Sequence, residues 1–400
     1  MEAKRPWLTI VGLGEDGLDG LSLASRSALH EAEIIMGPSR HLDLVSETEA
    51  DIIEWPVPFS KGHADLLPLR GRNVVVLVSG NPFWFGAGTV LARKLKPEEW
   101  RALPAPSTFS WAASKLGWPI EQITTLGLHA APIERLRPFL ATGRRIILLV
   151  RSAESVPILA DYVTDQGFGA SQLWIMESLG GPHEKITQIK AEEQAPFESA
   201  RPVCVAIEIA DTGKSMSLSC GLDNDWFQND GQITKPPVRA LTLSALAPKH
   251  GEHLWDIGGG SGSIAIEWLL CHPSLHATTV ERNAERVAAI QSNARRLGMD
   301  RLEIIYGNAP HALQNLHSPN VVFVGGGLNG ELLDWLTTHL VSGTRLVANA
   351  VTLETEALLI DANTRLGGSL TRIELSHPTP LGSHSSWKST YPITQFSVTL

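Results

Sequence analysis

The stretch Leu254-Trp255-Asp256-Ile257-Gly258-Gly259-Gly260-Ser261-Gly262-Ser263 decides how this sequence is read. An apolar run ends in an acid, glycines follow at every second position from Gly258 to Gly262, and an apolar pattern at helical spacing over residues 263–270 begins at once. That order spells strand, tight turn and helix start. Glycines let the backbone turn sharply and lie against a ligand, and the first turn of a helix offers N–H groups with no partner of their own. Glu281 closes the next strand, where a carboxylate can accept both hydroxyls of a ribose. Asn308-Ala309 follow the strand over 302–306, where an adenine-contacting loop would sit. A dinucleotide or S-adenosylmethionine fits such a frame. The dinucleotide fingerprint G-x-G-x-x-G, counted from Gly258, falls on Ser263 at its last glycine. The frame therefore favours the methyl donor, which has no pyrophosphate to cradle and whose positive sulfur suits a nearby carboxylate.

Working outward, strand-like runs alternate with helical patterns through both halves. Strands are expected at 252–257, 277–281, 302–306, 321–324 and 345–351, with two further β-like runs at 369–375 and 394–400. Asn283 can cap a helix over 284–297 that Gly298 ends. In the first half, strands are expected at 7–11, 33–36, 73–79, 145–150, 172–177 and 202–209. Several are unbroken Val/Ile/Leu runs, which implies strands buried on both faces of a mostly parallel sheet with helices on both sides. Residues 211–237, rich in Asp, Asn, Gly and Ser and ending in Pro236-Pro237, read as a linker. The expected organisation is an α/β domain over 1–212, a linker over 213–237 and a Rossmann-like α/β domain over 238–400.

The chain has 400 residues, 43% hydrophobic and 19% charged, with mean hydropathy +0.01, a composition able to bury two cores. Net charge is −9, with an excess of acid in both halves, so neither half carries the basic footprint of a nucleic-acid binder. No run approaches the roughly 18 apolar residues of a membrane span, and Lys4 and Arg5 lead into Pro6 without a secretory pattern. Cys204, Cys220 and Cys271 form neither a C-x-x-C nor a metal-like cluster. A reduced cytoplasm is therefore expected, with no bound metal. A small-molecule partner and a homo-oligomer are expected too.

Beyond the glycine turn, the second half carries Gly231-Gln232-Ile233-Thr234-Lys235, Glu281-Arg282-Asn283, Gly307-Asn308-Ala309-Pro310, Gly325-Gly326-Gly327 and Asn349-Ala350-Val351-Thr352-Leu353-Glu354. With Asp256 leading the glycines, as in class I methyltransferases, this half resembles the C15-methylating, C12-decarboxylating family of corrin biosynthesis. The resemblance implies that Thr234, Gly258, Gly259, Gly260, Ser261, Gly262, Glu281, Asn308 and Ala309 contact S-adenosylmethionine. It implies that Gly325, Gly326 and Asn349 border a tetrapyrrole. Lys235 and Arg239 stand near that donor site and are candidates to pair with substrate carboxylates.

In the first half, Gly12-Leu13-Gly14-Glu15-Asp16-Gly17 spells G-x-G-x-x-G, but the next strand ends in Gly37-Pro38 with no acid for a ribose, so a dinucleotide reading is rejected. Taken with Ser79-Gly80-Asn81-Pro82-Phe83-Trp84-Phe85-Gly86 and Pro106-Ser107-Thr108-Phe109-Ser110, this half resembles the tetrapyrrole methylases, two-lobed class III methyltransferases. The resemblance assigns Gly12, Gly14, Ser79, Gly80, Asn81, Ser107 and Thr108 to a second donor site. The usual Gly-Asp-Pro is Gly80-Asn81-Pro82 here, which keeps the turn but loses the charge.

A tetrapyrrole-methylase half followed by a C15-methylating half resembles the fused C5,15-methylating family of cobalamin biosynthesis. That implies methylation of a precorrin at C5 and C15 with loss of the C12 acetate carboxyl. Methyl transfer to an enamine-type ring carbon needs alignment more than a strong base, so catalytic candidates are few: His311 as a proton donor and Asn349. Trp84 is placed to stack on a flat ring, whereas Trp7, Trp174, Trp255 and Trp268 read as packing. Arg144 and Arg145 read as a solvated strand edge, and Glu177 and Glu184 as structural pairs. The rival readings are a methyltransferase fusion acting on RNA, a tetrapyrrole scaffold with one dead donor site, and a nicotinamide-dependent reductase.

Overall fold

The computed structural model describes residues 6–45, 48–57, 59–193, 197–199, 202–210 and 213–400. Lys4, Arg5 and the Asp211-Thr212 start of the expected linker lie outside them. The chain divides into two compact units, residues 1–131 with 139–214, and residues 132–138 with 215–400.

The first unit holds two sheets. One joins Leu8–Leu13 (β1), Ile34–Gly37 (β2), Asp51–Glu54 (β3), Val74–Ser79 (β4) and Trp100–Leu103 (β5) in the order β3-β2-β4-β1-β5, every pairing parallel. The other joins Ile123–Gly127 (β6), Arg145–Leu149 (β7), Gln172–Glu177 (β8), Lys185–Lys190 (β9) and Val203–Glu208 (β10) in the order β6-β7-β10-β8-β9. Here only β6 and β7 run parallel, and β7-β10, β10-β8 and β8-β9 are antiparallel. The expectation of a mostly parallel sheet holds for the first sheet and is corrected for the second. The unbroken apolar runs of β7 and β10 reflect burial on both faces, which central antiparallel strands also meet when covered on both sides.

The second unit continues with His253–Ile257 (β11), His276–Glu281 (β12), Glu303–Tyr306 (β13), Val321–Val324 (β14), Arg345–Ala350 (β15), Ser369–Ile373 (β16), the hairpin Ser376–Leu381 (β17) and His384–Ser389 (β18), and Ile393–Thr399 (β19). Its seven-stranded sheet has the order β13-β12-β11-β14-β15-β19-β16, with β11 to β15 parallel and β19 antiparallel to both neighbours. The order reverses at β11, so a crevice opens beyond the carboxyl ends of β11 and β14, where ligands bind in open α/β sheets.

The segment expected as a linker is packed structure instead. Leu222, Trp226, Phe227 and Ile233 are buried in one cluster with Trp268, Leu269 and Ile290. Four large apolar side chains spaced among polar residues show no period, yet burying each is worth about 1.5–3 kcal/mol, enough to fold an irregular segment onto a core. Pro132–Pro138 also groups with the second unit, where Arg135 Nε donates to Asp300 at 2.7 Å. Among the described residues no helix is long and apolar enough to cross a membrane.

Candidate functional sites

In the second unit the crevice is built from the ends of its parallel strands. Gly258 has φ +76°, and a Cβ there would lie 2.7 Å from the Gly326 carbonyl oxygen, so only glycine lets the turns after β11 and β14 meet. A Cβ on Gly259 would strike Thr279 Oγ1, and one on Gly262, at φ +74°, would press on Ile290. Gly260 differs. Its φ is +60°, but the nearest atom to a Cβ is Gln232 O at 3.8 Å, so the space in front of it is open. Its N–H donates to Glu281 Oε2 at 2.9 Å, and the Asn283 N–H donates to Glu281 Oε1 at 2.9 Å. Glu281 is thus clasped between the glycine turn and the next helix, with one lone pair left on each oxygen for ribose hydroxyls.

Asp256 sits beneath the turn. Burial pushes its carboxyl up to about 7, opposed by hydrogen bonds from the Ala265 amide and the Thr279 hydroxyl, and Glu281 adds like charge. Its Oδ2 is buried without a hydrogen-bond partner. An open glycine wall, a clasped carboxylate and an orphaned acid suit a ligand that carries a ribose and positive charge, as S-adenosylmethionine does. Ser261 is buried, and its carbonyl accepts from Asn293 Nδ2 at 2.9 Å. Asn308 is exposed and Ala309 half-buried at the end of β13, and Gly307 N–H donates to the Glu281 carbonyl at 3.0 Å, which places that loop beside the clasp. His311 is exposed on the turn that follows.

The Gly231–Lys235 loop is held over Gly260 by polar groups, some exposed and some buried, that the sequence reading missed. Arg286 Nη2 donates to Gln232 Oε1 at 2.7 Å, and its Nε to Asp230 Oδ2 at 2.8 Å. Asn293 exchanges two hydrogen bonds with the Gln228 backbone. Arg239 overturns its expectation. It is fully buried, donates from Nε to Glu267 Oε1 at 2.6 Å, and reaches the Thr234 and Leu222 carbonyls and Asn224 Oδ1. Its guanidinium also lies 4.9 Å from the Phe227 ring centroid. A cation so surrounded cannot meet a substrate carboxylate, so it anchors the loop. Glu267 accepts in addition the Gly221 and Leu222 N–H groups, at 2.6 and 3.1 Å. The available signal was one acid inside the apolar helix Ser263–Cys271, since a charge at such a position requires a buried partner. Thr234 is half-buried and Lys235 exposed.

Asn349 was expected at the substrate edge. Its Nδ2 donates to Thr242 Oγ1 at 2.9 Å and its Oδ1 accepts from Gln395 Nε2 at 3.0 Å, so most of its bonding holds β15 to its neighbours. Gly325 and Gly326 are exposed, and a Cβ on Gly326 would meet nothing within 4 Å.

In the first unit a cleft of about 350 Å³ is lined by Gly14, Ser79, Gly80, Asn81, Ser107 and Thr108 among others. A Cβ on Gly12 would lie 1.9 Å from the Gly80 carbonyl oxygen and 2.7 Å from Ala105 N, so β1 must carry glycine where these backbones close. Gly80 has φ +50°, and its carbonyl accepts from Ala105 N–H at 3.2 Å. Asn81 Oδ1 accepts from Phe83 N–H at 3.0 Å, which fixes the turn and leaves the side-chain amide NH₂. Ser107 caps the helix Thr108–Leu116 by accepting from Ser110 N–H at 3.1 Å. Trp84 stacks on Phe109 at 5.2 Å on the cleft wall.

This cleft also holds Arg40 and His41, which sequence reading passed over because both lie outside the quoted motifs. Arg40 pairs with Glu15 and donates to Ser79 Oγ at 3.2 Å, and the His41 ring nitrogen Nε2 lies 3.2 Å from the same oxygen. Burial pushes His41 down to about 4, and the Arg40 charge adds to this, so the imidazole is neutral at ordinary pH. Arg145 bonds Glu208 at 2.9 Å and lies over Trp118, a pairing between the facing ends of β7 and β10. Glu184 accepts from Lys115 and the Gly180 N–H, and Glu177 from Ser199, so both acids are structural.

Comparison with known proteins bears on both clefts. The family described as tetrapyrrole (corrin/porphyrin) methylases matches residues 7–195, and the precorrin methyltransferase domain matches residues 225–400. A precorrin-6Y C(5,15)-methyltransferase (decarboxylating) of Sinorhizobium sp is 44% identical over 398 residues, covering 98% of this chain and 96% of that protein. A protein of the same name from Mycobacterium tuberculosis (strain ATCC 25618 / H37Rv) is 36% identical over 98% of this chain and 99% of its own length. A cobalt-precorrin-6B C(15)-methyltransferase (decarboxylating) of Salmonella typhimurium is 34% identical over 40% of this chain and 85% of its own length. The crystal structure of the C-terminal domain of a Rhodobacter capsulatus precorrin-6Y C5,15-methyltransferase is 47% identical, covers 46% of this chain and all of that one, and has a TM-score of 0.45.

Proposed function

This chain belongs to the precorrin-6Y C(5,15)-methyltransferase (decarboxylating) family, and on that premise we propose how its two clefts share the work: the first unit methylates C5 of a precorrin, and the second methylates C15 and removes the C12 acetate carboxyl. The precorrin methyltransferase domain match at residues 225–400, and a C(15)-methyltransferase (decarboxylating) that covers only 40% of this chain, support this division. The first activity is assigned to residues 1–212, and the second to 238–400 together with the packed segment over 215–237 that carries Thr234 and Lys235. The observation that carries the second site is the clasp of Glu281 by Gly260 and Asn283 at the point where the sheet order reverses.

S-adenosylmethionine, when bound, supplies a methyl group on a positively charged sulfur. In the second unit Glu281 accepts from ribose hydroxyls, the glycine turn gives its backbone close approach, and Thr234, Ser261, Asn308 and Ala309 border the donor. Asp256 supplies a buried acid beneath the turn. In the first unit Gly12 and Gly80 close the floor, and Gly14, Ser79, Asn81, Ser107 and Thr108 line the wall. Each cleft contributes alignment and exclusion of water, since an enamine carbon needs no strong base. Lys235, exposed beside the Gly231–Lys235 loop, pairs with a substrate carboxylate. Gly325 and Gly326 leave room for the ring, and His311 donates the proton that follows loss of CO₂.

The net charge of −9 supports a small-molecule rather than a nucleic-acid partner, and the reading includes a cytoplasmic homo-oligomer, which light scattering on the purified chain would test. The decisive experiment incubates the chain with a reduced precorrin-6 substrate and labelled donor, followed by mass spectrometry. A gain of two methyl groups with loss of one CO₂ is expected. A single methyl with the carboxyl retained would refute the assignment of the second unit. Calorimetric titration with donor should find two sites per chain, and one site would favour the scaffold reading.

A further inference from the structure

Outside both clefts, the three cysteines fall into unlike environments. Cys204 is buried in β10, and burial holds its thiol up at about 12. Cys220 and Cys271 are partly open to solvent, and their sulfurs lie 3.8 Å apart, in contact though 51 residues apart in sequence. The geometry that brings them together is not accidental side-chain proximity. Glu267 and Cys271 are one turn apart on the helix Ser263–Cys271, and Glu267 accepts the N–H groups of Gly221 and Leu222, which follow Cys220 directly. The chain at 220–222 is therefore docked along the same helix face that carries Cys271, whose Sγ also lies 3.2 Å from the Glu267 carbonyl.

We propose that Cys220 and Cys271 are a reversible disulfide site, closed by a low-molecular-weight disulfide of the glutathione type and reopened by thiols. The sulfurs stand 3.8 Å apart, against a bond of about 2.05 Å, on two segments that the Glu267 carboxylate already ties together. A hydrogen bond from the Cys271 thiol pulls the Cys220 thiol down to about 7, while Cys271 is held up, so Cys220 is the attacking sulfur. Its thiolate attacks one sulfur of the small disulfide and expels one thiolate. The Cys271 sulfur, losing its proton, then attacks Cys220 in the mixed disulfide and expels the second. Two protein thiols are oxidised, one small disulfide is reduced to two thiols, and the two protein protons end on those products.

The bond adds a covalent tie to the anchorage that Glu267 and Arg239 already provide for the segment leading to Gly231–Lys235. The full chain is treated with oxidised glutathione, alkylated, digested and weighed, beside C220S and C271S. In the wild-type chain a linked Cys220–Cys271 peptide pair two hydrogens lighter is expected, with Cys204 alkylated only after unfolding and the link lost in dithiothreitol. C271S should stop at a stable glutathione adduct on Cys220, and C220S should form neither link nor adduct at that position. Closing a loop of about 50 residues should raise the melting temperature of the second unit by several degrees. A stable glutathione adduct in the wild-type chain, a link between two copies, or both thiols still alkylated after oxidation would each overturn the proposal.

Discussion

Replacing Arg239 with methionine tests the anchorage of the donor loop most directly. The side chain is fully exchanged for an apolar one of similar length in a site with no solvent, where Arg239 has a 0% exposed side chain and Glu267 2%. The variant leaves the Glu267 carboxylate with two backbone N–H groups and no counter-charge, and strips a partner from the Thr234 and Leu222 carbonyls. Breaking a buried ion pair by removing one member costs about 3–5 kcal/mol. At roughly 2–4 °C per kcal/mol for a unit of this size, the second unit should melt about 6–20 °C lower by scanning calorimetry. The loop carrying Thr234 should loosen as well, so the C15 methyl and the CO₂ loss disappear from the product mass at temperatures where the C5 methyl is still transferred. R239K should recover little, because one ammonium cannot serve acceptors spread over four residues. A melting shift below about 2 °C with normal C15 methylation would refute the argument that this cation holds the loop.

Three other outcomes follow from the geometry. Gly260→Arg fills the open space before the glycine turn and strains a backbone at φ +60°, so product mass should show C5 methylation alone, whereas C15 methylation at the wild-type rate would refute the placement of the donor there. Gly12→Ala drives a Cβ into the Gly80 carbonyl and Ala105 nitrogen, both backbone; C5 methylation should be lost, with overpacking worth about 1–3 kcal/mol visible in the melting of the first unit, and unaltered melting would count against the close approach. Asp256 holds its proton in the folded state up to about pH 7 but releases it near 4 when unfolded, so the folded state binds more protons between those values and stability falls as pH rises through that window. The loss is on the order of 4 kcal/mol. About 2 kcal/mol of this falls between pH 5 and pH 7, so denaturant unfolding at those two values should show that difference in the wild-type chain and not in D256N, and an equal pH dependence in both would contradict the buried-acid reading.

The parallel strands of the second unit were legible because each is a short run rich in β-branched or apolar residues between turn residues, and β14 matches its expected bounds of 321–324. The glycine turn, Glu281 and the Asn283 cap were legible because their chemistry is local: Asn283 Oδ1 accepts from Glu285 N–H at 2.9 Å within its own helix start. What failed was non-local. β3, β5, β6 and β9 were missed because they are partly exposed and carry no unbroken apolar run. Strand direction in the second sheet was misread because burial, which sets the apolar pattern, does not distinguish parallel from antiparallel neighbours. Arg239 was placed in the cleft because a cation next to a donor motif looks like a substrate contact, whereas its partner Glu267 lies 28 residues on and the pairing exists only after the helices pack. Arg40 and His41 became part of a cleft only when β2 and β4 were set side by side.

Gly326 has an unexceptional backbone conformation, and a methyl group added there would touch nothing. The scaffold thus makes no demand for glycine at that point, unlike Gly258 across the crevice, where the carbonyl of Gly326 itself forbids any other residue. A library varied at this single codon would therefore report on the vacant volume of the crevice and not on folding. The size at which turnover ceases would measure, residue by residue, how near the pigment's rim comes to the loop, and would open a route to variants that accept trimmed or enlarged macrocycles.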